Sequence, residues 1–417
     1  MRALPVQILA FSMLMAACVS TQAYTAKTIY SFCTGECTDG EQPIDVIVDG
    51  SGTLYGVTES GGLYNGGAAF ALVPNAKRTK WTYKRIWSFC NPNDCKEGFL
   101  PNNGLIMDTA GNLYGATDVG GDGRSGALYR LSRKAKRWKL DVIYDFCTFA
   151  DCADGAPTMR LTYRGASSGA LYDGTSPLYA GNYVAGNEGA VFSVTPTGHK
   201  GLWTGKLVYA FCQKENCTDG ANVEALMADS AGNLFGTTAN GGKEGVGEVF
   251  ELSSDGSGGW TNAVLHNFCA SCTTDGGIPN GQIAFDASGA LYGALLQHGL
   301  YGQGAIFKLS QRGTKWKEDV LYNLCPGGDC AKSGAAVASM VLDSEGNLFG
   351  AASWFGAHGG GTAFALDPNF EVLHDFCNCD GDGTSPASIA MDPAGNLYGA
   401  TIFGGDKSMG TIFEIEK

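Results

Sequence analysis

The sequence has little positive charge. Its 417 residues include 28 Lys and Arg against 41 Asp and Glu, which gives a net charge of −13. Nucleic-acid binding depends on neutralising phosphates with basic side chains, so this balance argues against a nucleic-acid partner. Beyond residue 17 there is also no apolar run long enough to cross a bilayer, and no transmembrane segment is predicted. Only 17% of residues are charged, and 62 are glycine, which is typical of short strands joined by tight turns.

The N-terminal segment has the pattern of a secretory signal. Arg2 precedes an apolar run from Leu4 to Ala17, and small residues end at Ala23. The sequence therefore predicts a signal peptide over residues 1–23 and one domain over residues 24–417. The protein is expected to be secreted, periplasmic or on the cell surface. The segment ending at Cys18 also resembles a lipoprotein cleavage box, so an acylated Cys18 is the alternative.

The cysteines fall in close pairs. Apart from Cys18 they are Cys33/Cys37, Cys90/Cys95, Cys147/Cys152, Cys212/Cys217, Cys269/Cys272, Cys325/Cys330 and Cys377/Cys379. Regular pairs in an exported chain predict disulfides, although the short Cys377/Cys379 spacing leaves that pair open. Zinc needs four converging ligands, whereas these pairs are one repeat apart, so no metal and no cofactor is predicted.

A repeated phrase is the strongest signal in the chain. It couples a D-x-x-G-N-L-Y-G turn to a glycine-rich loop and a G-x-x-F strand, and it recurs about every 57 residues. Examples are DTAGNLYGATDVGGDGRSGALY at Asp108–Tyr129 and DPAGNLYGATIFGGDKSMGTIF at Asp392–Phe413. The complete units divide into four alternating strands each, and seven such units predict an all-β, seven-bladed β-propeller.

The two ends of the chain support a closed ring. The last unit stops after its third strand, and Tyr24–Phe32 has the pattern of a fourth strand with no unit before it. We therefore expect the N-terminal strand to complete the last blade.

The repeat resembles the GloVer tandem-repeat family of bacterial extracellular proteins. The matching residues are G-N-L-Y-G at Gly111–Gly115 and Gly395–Gly399, the glycine pair that follows, and the G-x-x-F strand. The resemblance implies the fold and export, but no particular chemistry.

Alternating strand directions place the glycine loops and the cysteine loops on one face of the propeller. Many acids follow the cysteines, so we expect an acidic face there. We expect a basic opposite face, with Lys77, Arg78 and Lys80 in one hairpin and Arg133, Lys134, Lys136 and Arg137 in the next. One interpretation is that these hairpins bind an anionic polymer; the other is that they only add solubility. The Asp-Gly pairs are interpreted as turns, because one Asp per blade does not make a calcium site.

Residues that depart from the repeat in the glycine loops are the candidate binding site. These are Glu59, Asp118, Asn182, Asn240, Gln297, His298, Trp354, Phe355, His358 and Phe403. Aromatic faces beside polar donors suit a sugar or another planar ligand. His266 and His374 stand where other units have Tyr or Trp, and they are interpreted as structural.

Three functions are compatible with this pattern. The first is a non-catalytic binding module for a glycan or a cell-envelope partner. The second is a polysaccharide lyase or hydrolase using His298 or His358 on blades five and six. The third is a platform for another exported protein. The protein is expected to be a monomer.

Overall fold

The structure is a computed structural model. It describes residues 24–417 except 91–94, 136, 149–151, 153, 156, 185–186, 199–200, 202, 270–274, 378 and 380. The predicted signal peptide, Cys18, Cys272 and Lys136 lie outside the described residues. Seven antiparallel sheets form a β-propeller, which confirms the predicted fold class. In the part of the chain that is described, no helix is long and apolar enough to cross a membrane.

Each blade runs from an inner first strand to an outer fourth strand. The first strands are Glu41–Val48, Ile106–Met107, Thr162–Tyr163, Ala221–Ala228, Gly276–Phe285, Ala335–Leu342 and, in two pieces, Gly383–Pro386 and Ala390–Met391. The second strands are Leu54–Ser60, Leu113–Ala116, Leu178–Val184, Leu234–Asn240, Leu291–His298, Leu348–Trp354 and Leu397–Gly404.

The two outer strands of each blade form a hairpin. The third strands are Ala68–Pro74, Ala127–Lys134, Asn187–Pro196, Glu248–Ser254, Ala305–Arg312, Thr362–Asp367 and Thr411–Glu416. The fourth strands are Trp81–Ser88, Arg137–Asp145, Trp203–Ala210, Trp260–Asn267, Lys315–Asn323, Asn369–Asp375 and, in blade seven, Thr25–Ser31. Short 3-10 turns occur at Ala166–Ser168, Glu215–Cys217, Pro326–Gly328 and Cys330–Lys332.

The N-terminal strand closes the ring as predicted. Thr25–Ser31 pairs antiparallel with Thr411–Glu416, and Thr25 is opposite Glu416. The Lys27 ammonium lies 3.1 Å from the Glu414 carboxylate and also pairs with Glu416. Blade seven is thus built from both ends of the described chain.

The last glycine of the G-N-L-Y-G turn leaves space for an aromatic ring. A Cβ on Gly350 would lie 2.3 Å from Cζ of Phe364, and one on Gly236 would lie 2.3 Å from Cζ of Phe250. The G-x-x-F strand supplies that ring from the adjacent strand. The spacing of the phrase therefore records how the second and third strands pack.

The hydrophobic core is divided among the interfaces between blades. The described residues form seven buried clusters, each drawn from two neighbouring blades. The cluster between blades seven and one joins Phe32 and Tyr398 to Phe70. Blade stability therefore depends on neighbours, and a closed ring gives every blade two of them.

Blade three contains an insertion that packs back on blade two. Tyr172 is fully buried, and its ring lies 5.2 Å from the ring of Tyr114. Its backbone N–H donates to the carbonyl of Met107, and Thr109 donates to the carbonyl of Tyr172. The insertion thus supports a blade whose first strand has only two residues.

Candidate functional site

The glycine loops and the cysteine loops meet on one face, which we call the loop face. The backbone N–H of Gly62 donates to the carbonyl of Cys37 at 2.9 Å, and Gly242 donates to Cys217 at 2.9 Å. Gly356 makes the same bond to Cys330 at 3.2 Å. The predicted sharing of a face is therefore correct, and each pair of loops is interlocked.

The predicted cysteine pairs form disulfides wherever both partners are described. The bonds are Cys33–Cys37, Cys90–Cys95, Cys147–Cys152, Cys212–Cys217, Cys325–Cys330 and Cys377–Cys379. The short pair that the sequence left open is bonded. Cys269 is described, but Cys272 is not.

The acidic loop face predicted from the sequence is wrong in part, because several of its acids are buried. Asp39, Asp154 and Asp219 are 6%, 0% and 0% exposed. Each accepts a hydrogen bond from a tyrosine hydroxyl of the preceding fourth strand. These bonds are Tyr30 to Asp39 at 2.7 Å, Tyr144 to Asp154 at 2.6 Å and Tyr209 to Asp219 at 2.8 Å. The recurring aspartates anchor the cysteine loops and do not form a charged surface.

The opposite face also differs from the prediction. Arg78 pairs with Asp392 of blade seven, and its guanidinium donates to the Tyr398 hydroxyl at 2.8 Å. It is therefore a link between blades one and seven rather than a free cation. Lys77, Lys80, Arg133 and Lys134 are exposed.

Glu248 is a buried carboxyl that departs from the repeat. The other third strands have Ala or Thr at this position, as at Ala305 and Thr362. The side chain is 0% exposed, and neither carboxyl oxygen has a hydrogen-bond partner. Burial, with a contribution from Asp219, raises the pKa of Glu248 to about 8.

This carboxyl predicts a pH-dependent stability. Between its ordinary pKa of 4.5 and about 8 the folded protein keeps a proton that the unfolded chain releases. The free energy of unfolding should therefore fall as pH rises through this window, by roughly 1.4 kcal/mol per pH unit from this group. Urea unfolding at pH 5 and pH 8 should show a smaller loss for Glu248→Gln than for the wild type. Parallel pH dependence of the two proteins would contradict the assignment.

The glycine loops are held by the last side chain of the fourth strand. Backbone N–H groups donate to Ser88 at 3.2 Å, to Asp145 at 2.9 Å, to Asn267 at 2.7 Å and to Asn323 at 3.0 Å. In blade six Asp375 accepts from Ala357 at 2.7 Å. The loops are thus positioned before any ligand arrives, which lowers the ordering cost of binding.

Exposed apolar side chains are concentrated on four adjacent blades of the loop face. They are Leu300 and Tyr301 on blade five, Trp354 and Phe355 on blade six, Phe403 on blade seven, and Leu63 and Tyr64 on blade one. Because the ring is closed, blades five, six, seven and one are consecutive. We call these seven residues the aromatic arc. The glycine loops of blades two and four instead expose Asp122, Arg124, Lys243 and Glu244.

Two residues in the glycine loops of blades five and six have a left-handed backbone conformation. His298 and Phe355 have φ of 61° and 64°, at a position where Gly61, Gly120, Gly241 and Gly404 stand in other blades. A left-handed conformation at a bulky residue costs on the order of 1 kcal/mol or more. The side chains at 298 and 355 are therefore held at some cost in stability.

The strain gives a direct prediction for Phe355→Gly. Relief of the left-handed strain offsets the flexibility that glycine adds to the unfolded chain, so stability should stay within about 1 kcal/mol of the wild type or rise. Trp354→Gly is the control, because Trp354 is in a strand and the change should destabilise it. Thermal unfolding of both variants checks this. Equal destabilisation by both would show that Phe355 is an ordinary packing residue.

An open cleft of about 230 Å³ lies beside Trp354. Its walls come from the first strands of blades five and six, at Asn280, Gly281, Ala336 and Ala338, and from Leu296, Ser353 and Trp354. The Asn280 amide donates to the Val337 carbonyl at 3.0 Å and bridges the two blades. The cleft therefore joins the aromatic arc to the inner edge of the ring.

The predicted site residues are distributed unevenly over this surface. Gln297, Trp354, Phe355, His358 and Phe403 are exposed, and His298 is partly buried. The His358 backbone N–H donates to the Asp375 carboxylate at 3.1 Å, and its ring Nδ1 is 3.4 Å from the same oxygen. These six residues lie on blades five to seven.

The remaining predicted residues lie on blades one to four. Glu59 is partly buried at the end of a strand of blade one. Asp118 and Asn240 are exposed on blades two and four, outside the aromatic arc. Asn182 is 1% exposed, accepts from the backbone of Ala190 and donates to Gly155, so its interpretation as a ligand contact is wrong. It is a structural residue.

Sequence reasoning missed Leu63, Tyr64, Leu300 and Tyr301. Their signal is a Gly-Leu-Tyr segment that occurs in the glycine loops of blades one and five. Because the segment recurs at the same place in two glycine loops, it does not depart from the repeat. Only the fold shows that its side chains are exposed.

A second cavity of about 160 Å³ faces the axis of the ring. It is lined mainly by first strands of blades three to five, including Tyr163, Glu224 and Gln282. Glu224 is exposed to solvent in this cavity, and no neighbouring charge acts on the pKa of its carboxyl. Acid–base catalysis generally uses a second group within hydrogen-bond reach. We therefore place the candidate site on the loop face.

A match to a protein-family model identifies the family of this chain. A model of the Gloeobacter/Verrucomicrobia repeat matches residues 17–183 and 166–413. The chain belongs to this repeat family. The matches span nearly all of the described propeller, and they confirm the resemblance found in the G-N-L-Y-G turns. No curated protein matches the chain.

The chain is similar in fold to solved structures of proteins with different names. The β-propeller domain of Cps50 (Swd1) from Myceliophteria thermophila has a TM-score of 0.54 at 9% identity, covering 94% of this chain and 99% of that one. A protein named as a 6-phosphogluconolactonase from Bacteroides uniformis has a TM-score of 0.52 at 13% identity, covering 87% and 90%. The extracellular domain of a protein named as a hybrid two-component system from B. thetaiotaomicron has a TM-score of 0.53 at 10% identity, covering 93% and 39%. At these identities the similarity shows the fold alone.

Proposed function

We propose that this protein is an exported, non-catalytic binding module that holds a neutral polysaccharide on the aromatic arc of its loop face. The observation that carries the proposal is the run of exposed rings on four consecutive blades. Tyr301, Trp354, Phe355, Phe403 and Tyr64 are 37%, 52%, 45%, 45% and 42% exposed. Rings of this size are rarely left in water together without a binding partner.

The arrangement of the rings favours a polymer over a small ligand. Each blade contributes one or two rings, separated by loop atoms, so successive rings follow a curve. Sugar rings have apolar faces that pack on aromatic rings and hydroxyl groups that need polar partners. Gln297 beside the arc and Asn280 in the cleft next to Trp354 supply such partners.

Charge narrows the class of polysaccharide. The protein has a net charge of −13, and the lysine and arginine clusters of the sequence lie in hairpins on the opposite face. A polyanion would therefore meet long-range repulsion from the net negative charge of the protein at low ionic strength. A neutral glycan carries no such cost.

The location of the protein belongs to the same proposal. Short-range disulfides in six blades are stable in an oxidising compartment, and they keep the loop face rigid. We therefore place the protein outside the cytoplasm, as a secreted, periplasmic or surface protein, either released after residue 23 or acylated at Cys18.

The test is retention of the oxidised protein on a panel of insoluble neutral and anionic polysaccharides, with the remaining glycan measured over time. Stable retention on a neutral glycan, with its chain length unchanged, is the expected result. Shortening of a bound glycan would replace the proposal with an enzyme that uses the loops of blades five and six. Absence of retention on every glycan would favour a platform for another protein.

A further inference from the structure

The interface between blades four and five contains a cluster of three side chains of the types that bind metal ions. His266 is in the fourth strand of blade four, Asp275 follows the cysteine loop, and Glu318 is in the fourth strand of blade five. One oxygen or nitrogen atom from each residue lies within 4.8 Å of the other two. The cluster is separate from the aromatic arc.

The histidine and the aspartate stand at the positions of a structural tyrosine–aspartate or histidine–aspartate pair in other blades. Tyr30, Tyr144 and Tyr209 each donate to the equivalent aspartate, and His374 lies 2.9 Å from Asp382. In blade four His266 Nε2 lies 3.5 Å from Asp275 Oδ2. In the other blades this anchoring involves only two residues, the aspartate and its tyrosine or histidine partner.

Glu318 is the residue that this structural pair does not explain. Strand register places a neutral residue at the equivalent position of every other blade, namely Ala26, Tyr83, Leu140, Gly205, Asn262 and Phe370. In blade five the carboxylate lies 3.6 Å from His266 Nε2 and close to the like-charged Asp275. Among the described residues no lysine or arginine forms an ion pair with either carboxylate.

Polar atoms in the cluster are also left without partners. His266 Nε2 and Glu318 Oε1 are buried and form no hydrogen bond. Buried polar atoms without partners are uncommon in folded proteins and often mark a bound ion or water. The side chains of His266, Asp275 and Glu318 are still 22%, 13% and 12% exposed, which leaves an entry path for an ion.

The geometry points to a site for a divalent transition-metal ion, with Zn²⁺ as the best fit, held by His266, Asp275 and Glu318. Bonds of about 2.0–2.1 Å in a tetrahedral zinc site place neighbouring ligand atoms about 3.4 Å apart. The two distances from His266 Nε2 to the carboxylates, 3.5 and 3.6 Å, match this spacing. Imidazole selects against Mg²⁺ and Ca²⁺, which prefer oxygen ligands alone. Three protein ligands leave one position for water.

The test is isothermal titration of the oxidised, chelator-treated protein with Zn²⁺, followed by thermal unfolding with and without the ion. We expect one tight site per chain and a rise of the unfolding temperature on zinc binding. His266→Tyr restores the residue of most other blades, and Glu318→Asn restores that of blade four. Each should weaken zinc binding at least about 30-fold and abolish the shift.

The matched control is His374→Tyr, which makes the same change in a blade that lacks the third ligand. Its zinc binding should equal that of the wild type. If the wild type binds no zinc, or if Glu318→Asn and His266→Tyr bind it as tightly as the wild type, the site does not exist. The two variants change different strands, so Glu318→Asn still decides the matter if His266→Tyr does not fold. The experiment uses no glycan, and its outcome is independent of the proposed function.

Discussion

Alanine at both Trp354 and Phe355 is expected to lower the affinity for the retained polysaccharide by at least roughly 30-fold. The two rings are 52% and 45% exposed, and Trp354 also forms one wall of the cleft between blades five and six. Exposed rings contribute little to folding but much to binding, because they lose water only when the ligand covers them. Depletion assays on the insoluble glycan measure the effect.

The control for this double variant is Asp122→Ala with Lys243→Ala. These residues are exposed in the glycine loops of blades two and four, on the same face but outside the aromatic arc. Their replacement should leave the affinity within about twofold of the wild type, since isolated surface charges contribute little. Equal losses in the two double variants would mean that the ligand does not select the arc.

Removal of residues 24–32 should have the largest effect on the fold. The deletion takes away the fourth strand of blade seven and exposes the edge of Thr411–Glu416. It also removes Phe32, which is 1% exposed in the cluster that joins blades seven and one. We expect loss of the single cooperative thermal transition and association through the open edge, seen by circular dichroism and size-exclusion chromatography.

Circular permutation provides the control for this deletion. Thr25 is opposite Glu416 in the antiparallel pair, so a short hairpin loop can connect the two ends. A chain in which residues 24–32 follow Lys417 should recover the cooperative transition and the elution volume of the wild type. Folding of the truncated chain to wild-type stability would show that ring closure is not needed.

The fold could be predicted from the sequence because each repeat records its own packing. The last glycine of G-N-L-Y-G and the aromatic residue of G-x-x-F contact each other in adjacent strands, and this pairing fixes their spacing. The strand at Tyr24–Phe32 indicated closure of the ring because it has the pattern of the fourth strand that the last unit lacks. Such contacts are local, and a periodic sequence repeats them in every blade.

The charge distribution could not be predicted so well, because a sequence shows the number of acids but not their burial. Asp154 and Asp219 follow cysteines in exposed-looking loops, yet tyrosine hydroxyls hold them inside. Arg78 on the opposite face was likewise expected to be a free surface cation, but it forms an ion pair with Asp392 of blade seven.

The candidate site was predicted in part. Trp354, Phe355 and Phe403 depart from the repeat and are exposed, as a binding role requires. Tyr64 was missed because its Gly-Leu-Tyr segment occurs in two glycine loops, and only the fold shows that its side chain is exposed. The cluster of His266 and Glu318 depends on the packing between two blades, which no motif within one repeat can show.

Quenching of tryptophan fluorescence by acrylamide tests the central claim most directly. All seven tryptophans are described, and Trp354 is the exposed one, whereas the other six are partly buried. With a soluble fragment of the retained glycan, we expect the quenchable fraction of tryptophan fluorescence to fall as the ligand covers the arc. In Trp354→Phe, which keeps an aromatic ring, the fragment should still bind while the change in quenching disappears. Saturating ligand that leaves Trp354 as accessible as before would contradict a binding site on the aromatic arc.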